Sequence, residues 1–253
     1  MFDLRLIKAD VLKLRRRRGM LALAFLVTVG AAVLIYTITA LRHGSNPIKY
    51  GPAGGLKHYQ TSIGFLNSML LVVTALVGAT AGAADIECGV FRDLAATGRS
   101  RVALFTSRLF AGWAVVFTVV AATAMVTAVA ASVLAGPLPA PGATALLDGT
   151  VSLLMAGALG TAVAVGLAAV IGSRGPVIAV LVGFELAVLP ILSVLKVLGD
   201  ARQVIPTNAL ERIAGTLPSG GVQMTLLTAV LVVLAWLAVP FLAGAWRTRT
   251  QEI

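Results

Sequence analysis

The sequence predicts an all-α, polytopic membrane protein with six transmembrane helices, and three observations support this prediction. The 253-residue chain is 58% hydrophobic and only 12% charged, whereas a soluble domain carries about 25% charged residues. Its apolar residues form six runs that reach the ~20 residues needed to cross a bilayer. The polar connections between these runs carry Lys and Arg unequally. These features exclude a soluble globular protein and predict a single transmembrane domain over residues 1–253.

Residues 1–18 predict an amphipathic helix at the membrane interface. Its apolar residues recur at helical spacing at Leu4, Ile7, Val11 and Leu14. Seven Lys and Arg residues in the same stretch favour contact with anionic membrane lipids. The next apolar run exceeds the ~7–15-residue core of a signal peptide, so we expect this helix to be retained. A simple positively charged anchor is an equal alternative to a specific lipid-binding role.

Six predicted spans follow, separated by polar connections or by connections rich in Pro and Gly. They comprise residues 20–41, 63–84, 109–135, 147–171, 177–198 and 224–246. The run that holds the third span also contains Arg108, so we place the membrane portion after this residue. Three prolines and two glycines between Gly136 and Gly142 predict a turn, because they cannot continue a helix. Pro240 predicts a kink in the last span.

An even number of spans puts both termini on one side, and the distribution of Lys and Arg indicates which side. Fourteen of the 20 basic residues lie on the side of the termini: seven in the N-terminal helix, four between spans two and three, one between spans four and five, and two in the tail. We therefore expect a multi-pass protein of a bacterial cytoplasmic membrane with both termini in the cytoplasm. The net charge of +10 is then a topology signal, and nucleic acid is not an expected partner.

Residues 85–101 form a polar segment on this predicted cytoplasmic side, and they predict a short helix. Its apolar residues are spaced four apart at Ile86, Val90 and Leu94. Gly98 is suited to end this helix and Ser100 to cap the next one. A helix of about twelve residues is marginal alone in water. The segment therefore either lies on the membrane surface or docks against a soluble protein.

This segment resembles the connection between spans two and three of type-2 ABC transporter permeases. The matching residues are Glu87, Gly89, Arg92, Leu94, Gly98, Arg99, Ser100, Arg101 and Arg108. The six-span layout and the basic N-terminal helix extend the resemblance over essentially the whole chain. The sequence departs from the family pattern at Cys88 and at Ala95-Ala96, where bulkier aliphatic residues are common in the family.

The resemblance implies the membrane subunit of an ABC transporter, paired with a second permease subunit, identical or different, and with separately encoded ATPase subunits. It implies an ATPase-binding segment made of Asp85, Ile86, Glu87, Gly89, Val90, Arg92, Leu94, Gly98, Arg99, Ser100 and Arg101. The chain contains no phosphate-binding Gly-x-x-x-x-Gly-Lys-Ser/Thr loop. We therefore expect no catalytic residues and no cofactor in this chain, with ATP and Mg²⁺ bound by the partner. The resemblance also suggests short re-entrant or interfacial helices within residues 199–221.

Glu185 is an acid deep within a predicted span, and we take it with Asn67 as a candidate for the substrate path. An ionised group at the bilayer centre costs ~2.5–3.5 kcal/mol on insertion scales. We therefore expect Glu185 to face the interior of the bundle or to be protonated. A structural hydrogen bond from a neighbouring Thr, Ser or Asn67 is an equal alternative.

Three further patterns receive structural rather than functional predictions. Small residues spaced four apart on the fourth span predict close packing within the subunit, at Ala156, Gly160, Ala164, Ala168 and Gly172. His43 and His58 are expected to be solvated loop residues and not to form a metal site. Cys88, the single cysteine, is expected to be a buried, unreactive thiol rather than a redox switch.

The sequence thus favours the permease subunit of an ABC exporter. Short predicted outer loops and apolar spans favour an amphiphilic substrate, such as a drug, an antimicrobial peptide or a lipid-like molecule. One alternative is a proton-coupled secondary transporter that uses Glu185, and another is a non-transporting membrane scaffold or sensor. Co-purification with an ATPase would support the first function, and transport that depends on a proton gradient and on Glu185 would support the second.

Overall fold

The computed structural model describes residues 4–96, 98, 100–213 and 222–250, and the secondary structure within them is helical. The first six helices are α1 (Leu4–Arg16), α2 (Arg18–Phe25), α3 (Ala31–Ser45), α4 (Leu56–Glu87), α5 (Val90–Ala96) and α6 (Arg101–Val133). The others are α7 (Ala143–Ile171), α8 (Arg174–Gly183), α9 (Leu189–Val194), α10 (Pro206–Ile213) and α11 (Leu226–Thr250). A π-helical turn, Leu26–Gly30, joins α2 to α3 without a break. Of the predicted re-entrant segment 199–221, residues 214–221 lie outside the described residues.

Among the described residues, five helical stretches are long and apolar enough to cross a membrane. They are Arg18–Ser45, Leu56–Glu87, Arg101–Val133, Ala143–Ile171 and Leu226–Thr250, and they correspond to five of the six predicted spans. The remaining one, predicted over 177–198, is divided into α8, the π-helical turn Phe184–Val188, α9 and a 3₁₀ helix that begins at Lys196. The backbone leaves the helical conformation at Leu195, whose ψ is 95°, before the 3₁₀ helix begins.

The core of the bundle is the close packing of α4 against α7. A Cβ atom on Gly78 would lie 2.6 Å from the Cβ of Ala164, and one on Gly82 would lie 2.6 Å from the Cβ of Ala168. Only glycine therefore permits this backbone approach, as in other membrane helix pairs. Four residues of the small-residue stripe are buried inside the subunit, which confirms the prediction of internal packing: Ala156, Gly160, Ala164 and Ala168. The fifth, Gly172, is half-buried and ends α7 as its C-cap. Helix α11 packs on another face of α7, where Gly166 meets the backbone of Pro240.

The bundle has two chemically different ends. One end, termed the coupling end because it holds the predicted ATPase-binding segment, comprises α1, the C-terminus of α4, α5, the N-terminus of α6 and the connection between α7 and α8. The far end comprises α10 and the connections 46–55 and 134–142, where the Gly55 N–H donates to Ala131 O at 2.8 Å.

Helices α3 and α4 extend further toward the far end than predicted. Because α3 continues to Ser45 and α4 starts at Leu56, both His43 and His58 lie in helices, and the prediction that they are loop residues is wrong. Nδ1 of His43 lies 2.8 Å from the Tyr50 carbonyl oxygen. No group of three His, Cys, Asp or Glu residues suited to hold a metal occurs in the described part of the chain.

Candidate functional site

The polar segment 85–101 folds as the end of one helix, a short helix and the start of another. Asp85, Ile86 and Glu87 complete α4, and Val90 begins α5. The predicted single helix of about twelve residues is therefore wrong, and Ile86 does not share a helix with Val90 and Leu94. The cause is Gly89, whose φ of +72° ends α4 in a conformation that favours glycine.

The predicted end of this segment is confirmed. Gly98 adopts a φ of +79°, and the Ser100 hydroxyl accepts a hydrogen bond from the Ala103 N–H at 3.1 Å as the N-cap of α6. Arg101, in the first turn of α6, donates to the Arg249 carbonyl oxygen at 3.2 Å. Arg92 lies in α5, and Arg99 lies outside the described residues.

Arg108 ties α5 to both neighbouring helices. Its side chain is only 3% exposed, and its Nη1 donates to the Gly82 carbonyl oxygen at 3.1 Å. Its Nη2 lies 3.2 Å from Oδ2 of Asp85. The guanidinium also stacks over the ring of Phe91, 4.9 Å from its centroid, in a cation–π contact. Phe91 is buried, so α5 is anchored to α4 and α6 through this arginine.

Helix α1 joins the same cluster through Asp10 and Lys13. Lys13 Nζ lies 3.1 Å from both Asp10 Oδ1 and Asp85 Oδ2, and the Ser107 hydroxyl donates to Asp10 Oδ2 at 2.7 Å. Burial lowers the pKa of Lys13, but the two carboxylates outweigh this effect and leave the pKa above its usual value. Leu14 of the predicted apolar stripe is buried in the core. Helix α1 therefore packs on the bundle, in addition to any contact with lipid.

Glu87 connects this cluster to the start of α8. Its Oε1 accepts hydrogen bonds from the Arg174 N–H, at 2.6 Å, and from the Ser173 hydroxyl, at 3.1 Å. Its Oε2 lies 3.2 Å from Arg174 Nε. Three bonds to one carboxylate fix the connection between α7 and α8 against the end of α4.

The outward side of α5 remains accessible. Val90 is 40% exposed, and Asp93 is also exposed. Cys88 is an exposed free thiol, so the prediction of a buried thiol is wrong: the break at Gly89 turns the residue out of the helix packing. The coupling end therefore presents a short helix whose inner side is anchored and whose outer side is open.

Sequence reasoning missed three residues of this cluster: Asp10, Phe91 and Ser107. Asp10 carried a signal, because it is an acid within a strongly basic helix and on the flank of its apolar stripe. Phe91 and Ser107 carried none, since their partners are defined by tertiary packing.

The two candidates for the substrate path lie apart. Asn67 Nδ2 donates to the Ser152 hydroxyl at 3.0 Å, and Asn67 lines a cavity of about 460 Å³ at the far end between α4, α7 and α10. Glu185 lies in the π-helical turn between α8 and α9 and is not among the residues that line this cavity. Its Oε2 atom is buried without a hydrogen-bond partner, so the expected structural hydrogen bond is not found at this atom.

Comparison with known proteins agrees with this architecture. A family model described as ABC-2 family transporter protein matches residues 6–190, which is more than half of the chain. No curated protein matches the chain significantly. The matched region contains α1 to α8 and therefore the whole cluster around Arg108. The chain belongs to the ABC-2 transporter permease family and is the membrane subunit of an ABC transporter.

Proposed function

We propose that this chain is the permease subunit of an ABC exporter that moves an amphiphilic substrate. A separate ATPase subunit binds the open side of α5 and supplies ATP hydrolysis. Two permease chains, identical or different, form the membrane part of the transporter. The predicted ATPase-binding segment, Asp85 to Arg101, then has two roles. Its residues on the inner side anchor α5 to the bundle, and those on the outer side contact the ATPase.

The anchoring of α5 is the observation that carries this proposal. A force on α5 reaches α4 and α6 through Arg108, α1 through the Asp85–Lys13 ion pair, and α8 through Glu87. The buried Arg108 holds its ion-pair and hydrogen-bond partners in fixed geometry, and the partly exposed pairs of Lys13 and Arg174 add further links. Movement of the ATPase is therefore passed on to several spans together.

A six-span arrangement supports the cytoplasmic placement of this end. Helix α8, the π-helical turn and α9 form a continuous stretch, Arg174–Val194, of 21 residues. Such a stretch is about 31 Å long and matches the ~30 Å hydrocarbon core. With this stretch counted as the sixth span, both termini and the coupling end lie on the same side of the membrane. The fourteen basic residues on that side then place it in the cytoplasm.

The apolar outer surface of the bundle suits lipid and a second permease subunit. The exposed face of α11 carries Leu227, Leu231, Val239 and Leu242, all more than half exposed. The far-end connections 46–55 and 134–142 are too short for a folded receptor domain. An amphiphilic cargo that reaches the protein from the membrane fits this layout.

The docking role is tested by assembly of the permease with its partner ATPase subunit. Val90→Asp should abolish or strongly reduce co-purification of the ATPase, because a charge replaces an apolar group on the outer side of α5. Leu138→Asp is the matched control, since Leu138 has a similar exposure of 43% but lies at the far end. Equal recovery of the ATPase with both variants would show that α5 is not the docking element.

Export is tested in proteoliposomes that contain the complete permease–ATPase complex. Accumulation of a fluorescent amphiphile should require ATP and an intact ATPase and should persist when the proton gradient is collapsed.

The buried, unpartnered Oε2 of Glu185 supports the second candidate, proton-coupled transport. That candidate predicts ATP-independent transport that disappears on collapse of the gradient and in Glu185→Gln. ATP-driven transport that is unchanged in Glu185→Gln would exclude it.

A further inference from the structure

A cavity at the coupling end differs in charge from the far-end cavity. The far-end cavity has two acids, Asp148 and Glu211, and no Lys, Arg or His among the described residues that line it. The coupling-end cavity has a volume of about 280 Å³ and lies between α1, α4 and α6. Its charged lining residues are four basic residues and two acids: Lys13, Arg16, Arg17 and Arg108, with Asp10 and Asp85. The charged lining of this cavity is therefore net positive.

Both acids of the coupling-end cavity are already bonded within the cluster around Arg108. Asp85 Oδ2 lies 3.1 Å from Lys13 Nζ and 3.2 Å from Arg108 Nη2. Asp10 pairs with Lys13 and accepts a hydrogen bond from the Ser107 hydroxyl. Because these contacts occupy Lys13 and Arg108, the excess positive charge of the cavity comes from its two other arginines.

Arg16 and Arg17 line the same cavity although they are consecutive in the sequence. Consecutive residues of an α-helix point about 100° apart, but α1 ends at Arg16, and the ψ of Arg17 is 68°, outside the helical region. Within the described part of the chain, no hydrogen bond or ion pair engages either guanidinium group. Glu87, whose charge interacts with Arg17, is itself bonded to Ser173 and Arg174. Two guanidinium groups are thus open to a ligand at this cavity.

The head group of an anionic phospholipid fits the chemistry and the position of this cavity. Guanidinium groups match the geometry of phosphate oxygens and can donate two parallel hydrogen bonds to them. The predicted membrane portion of α6 begins just after Arg108, which places the cavity near the level where lipid head groups meet the hydrocarbon. The rest of the lining is small or apolar and suits the glycerol region of a lipid: Leu14, Thr80, Ala81, Ala84 and Ala111.

We propose that the coupling-end cavity is a specific site for an anionic phospholipid, with the lipid phosphate bound by Arg16 and Arg17 and the glycerol region against α4 and α6. This gives α1 a lipid-binding role in addition to that of a positively charged anchor. The bound lipid joins α1 to the cluster around Arg108 and stabilises the coupling end. Binding at this site does not depend on the proposed export function.

Lipid titration of the full-length chain, followed by native mass spectrometry, tests the proposal. The probes are phosphatidylglycerol and, as the zwitterionic counterpart, phosphatidylcholine with the same acyl chains. The double variant Arg16→Gln/Arg17→Gln should raise the Kd for phosphatidylglycerol about tenfold, because two charge-assisted contacts are lost. It should leave binding of phosphatidylcholine unchanged.

Arg15→Gln/Arg18→Gln is the matched control. It removes the same charge from the same segment, but Arg15 and Arg18 are exposed and do not line the cavity. Because solvent screens charges that make no direct contact, this variant should change the Kd for phosphatidylglycerol by about twofold or less.

Thermal unfolding of the full-length chain in nanodiscs provides a second measurement. A ligand that binds only the folded state raises the melting temperature. The parent chain should therefore melt at a higher temperature in nanodiscs that contain phosphatidylglycerol than in nanodiscs of phosphatidylcholine alone. Arg15→Gln/Arg18→Gln should retain this increase, and Arg16→Gln/Arg17→Gln should lose it.

Equal losses of phosphatidylglycerol affinity in the two double variants would show that α1 is only a general positively charged anchor, and would overturn the proposal. An unchanged Kd in Arg16→Gln/Arg17→Gln would do the same. Inorganic phosphate distinguishes a lipid from a soluble anion. If phosphate displaces phosphatidylglycerol more effectively than chloride does at equal ionic strength, the site belongs to a soluble anion and the lipid assignment is wrong.

Discussion

The two ends of the bundle use charged residues in opposite ways. At the coupling end, Asp85 lies between Lys13 and Arg108, and Glu87 is bonded to Arg174. At the far end, two acids border an open cavity whose described lining contains no basic residue. Paired charges at the coupling end hold helices together, whereas the two acids at the far end stand beside an open space. We propose that the coupling end transmits movement of the ATPase, whereas the far end surrounds a cavity.

Helix α4 shows the same difference within a single element. In its coupling half, Gly78 and Gly82 allow the backbone of α7 to approach so closely that a methyl group has no space. In its far half, Gly64 faces open space. Glycine therefore serves close packing in one half of α4 and leaves a cavity in the other.

The largest effect is expected from loss of Arg108 at the coupling end. Arg108→Met removes the ion pair with Asp85, the bond to Gly82 and the contact with Phe91, and it leaves the Asp85 carboxylate with one cation. Removing one partner of a buried ion pair costs about 3–5 kcal/mol. The melting temperature of the purified chain in nanodiscs should fall steeply.

Arg15→Met on α1 is the control for this variant. Arg15 is exposed, and surface substitutions usually change stability by about 0.5 kcal/mol or less. If both variants melt at the same temperature as the parent chain, the buried arginine is not the anchor of the coupling end.

A smaller effect is expected from substitutions on α4. Gly78→Val introduces a Cβ that would lie 2.6 Å from Ala164 Cβ and 3.0 Å from the Thr161 carbonyl oxygen. Forcing this overlap should cost about 1–3 kcal/mol. Gly64→Val, on the same helix, should be neutral or stabilising. Thermal unfolding of both variants compares the two halves of α4. Equal losses of stability in Gly78→Val and Gly64→Val would contradict the difference between these halves.

The smallest effect is expected from Glu87→Gln. The glutamine retains an acceptor for the Arg174 N–H but loses the charge, and half-exposed ion pairs contribute about 1 kcal/mol or less. The local consequence can be measured with spin labels on the native Cys88 and on Gly175→Cys, both of which are exposed. The distance distribution should broaden in Glu87→Gln and remain narrow in the control Asp93→Asn. Identical distributions would remove Glu87 as the link to α8.

Local features of the fold could be predicted from the sequence. The apolar runs predicted the membrane class, and Gly98 and Ser100 predicted the boundary before α6. The small-residue stripe predicted close packing within the subunit, but not that α4 is the partner of α7. Each of these follows from residue preferences over a few positions. Gly89 is the instructive failure, because a glycine between apolar residues is compatible with both a continuous helix and a break.

The cluster around Arg108 could not be predicted in the same way. Ser107 bonds to Asp10, which is 97 positions away in the sequence, and Glu87 bonds to a residue 87 positions away. Such pairs depend on how whole helices pack, and local residue patterns do not reveal that packing. The far-end cavity was missed for the same reason, because its lining residues come together only when α10 folds against α7.

The most direct test of the coupling account is the amount of substrate transported per ATP hydrolysed by the complete complex carrying Phe91→Ala. This variant removes the buried anchor under Arg108 but leaves Val90 on the outer side of α5 for the ATPase, and Val90→Ala on the same helix is the control. We expect the Phe91→Ala complex to assemble and hydrolyse ATP while transport per ATP falls severalfold. An unchanged ratio in an assembled Phe91→Ala complex would contradict the claim that α5 transmits movement through Arg108.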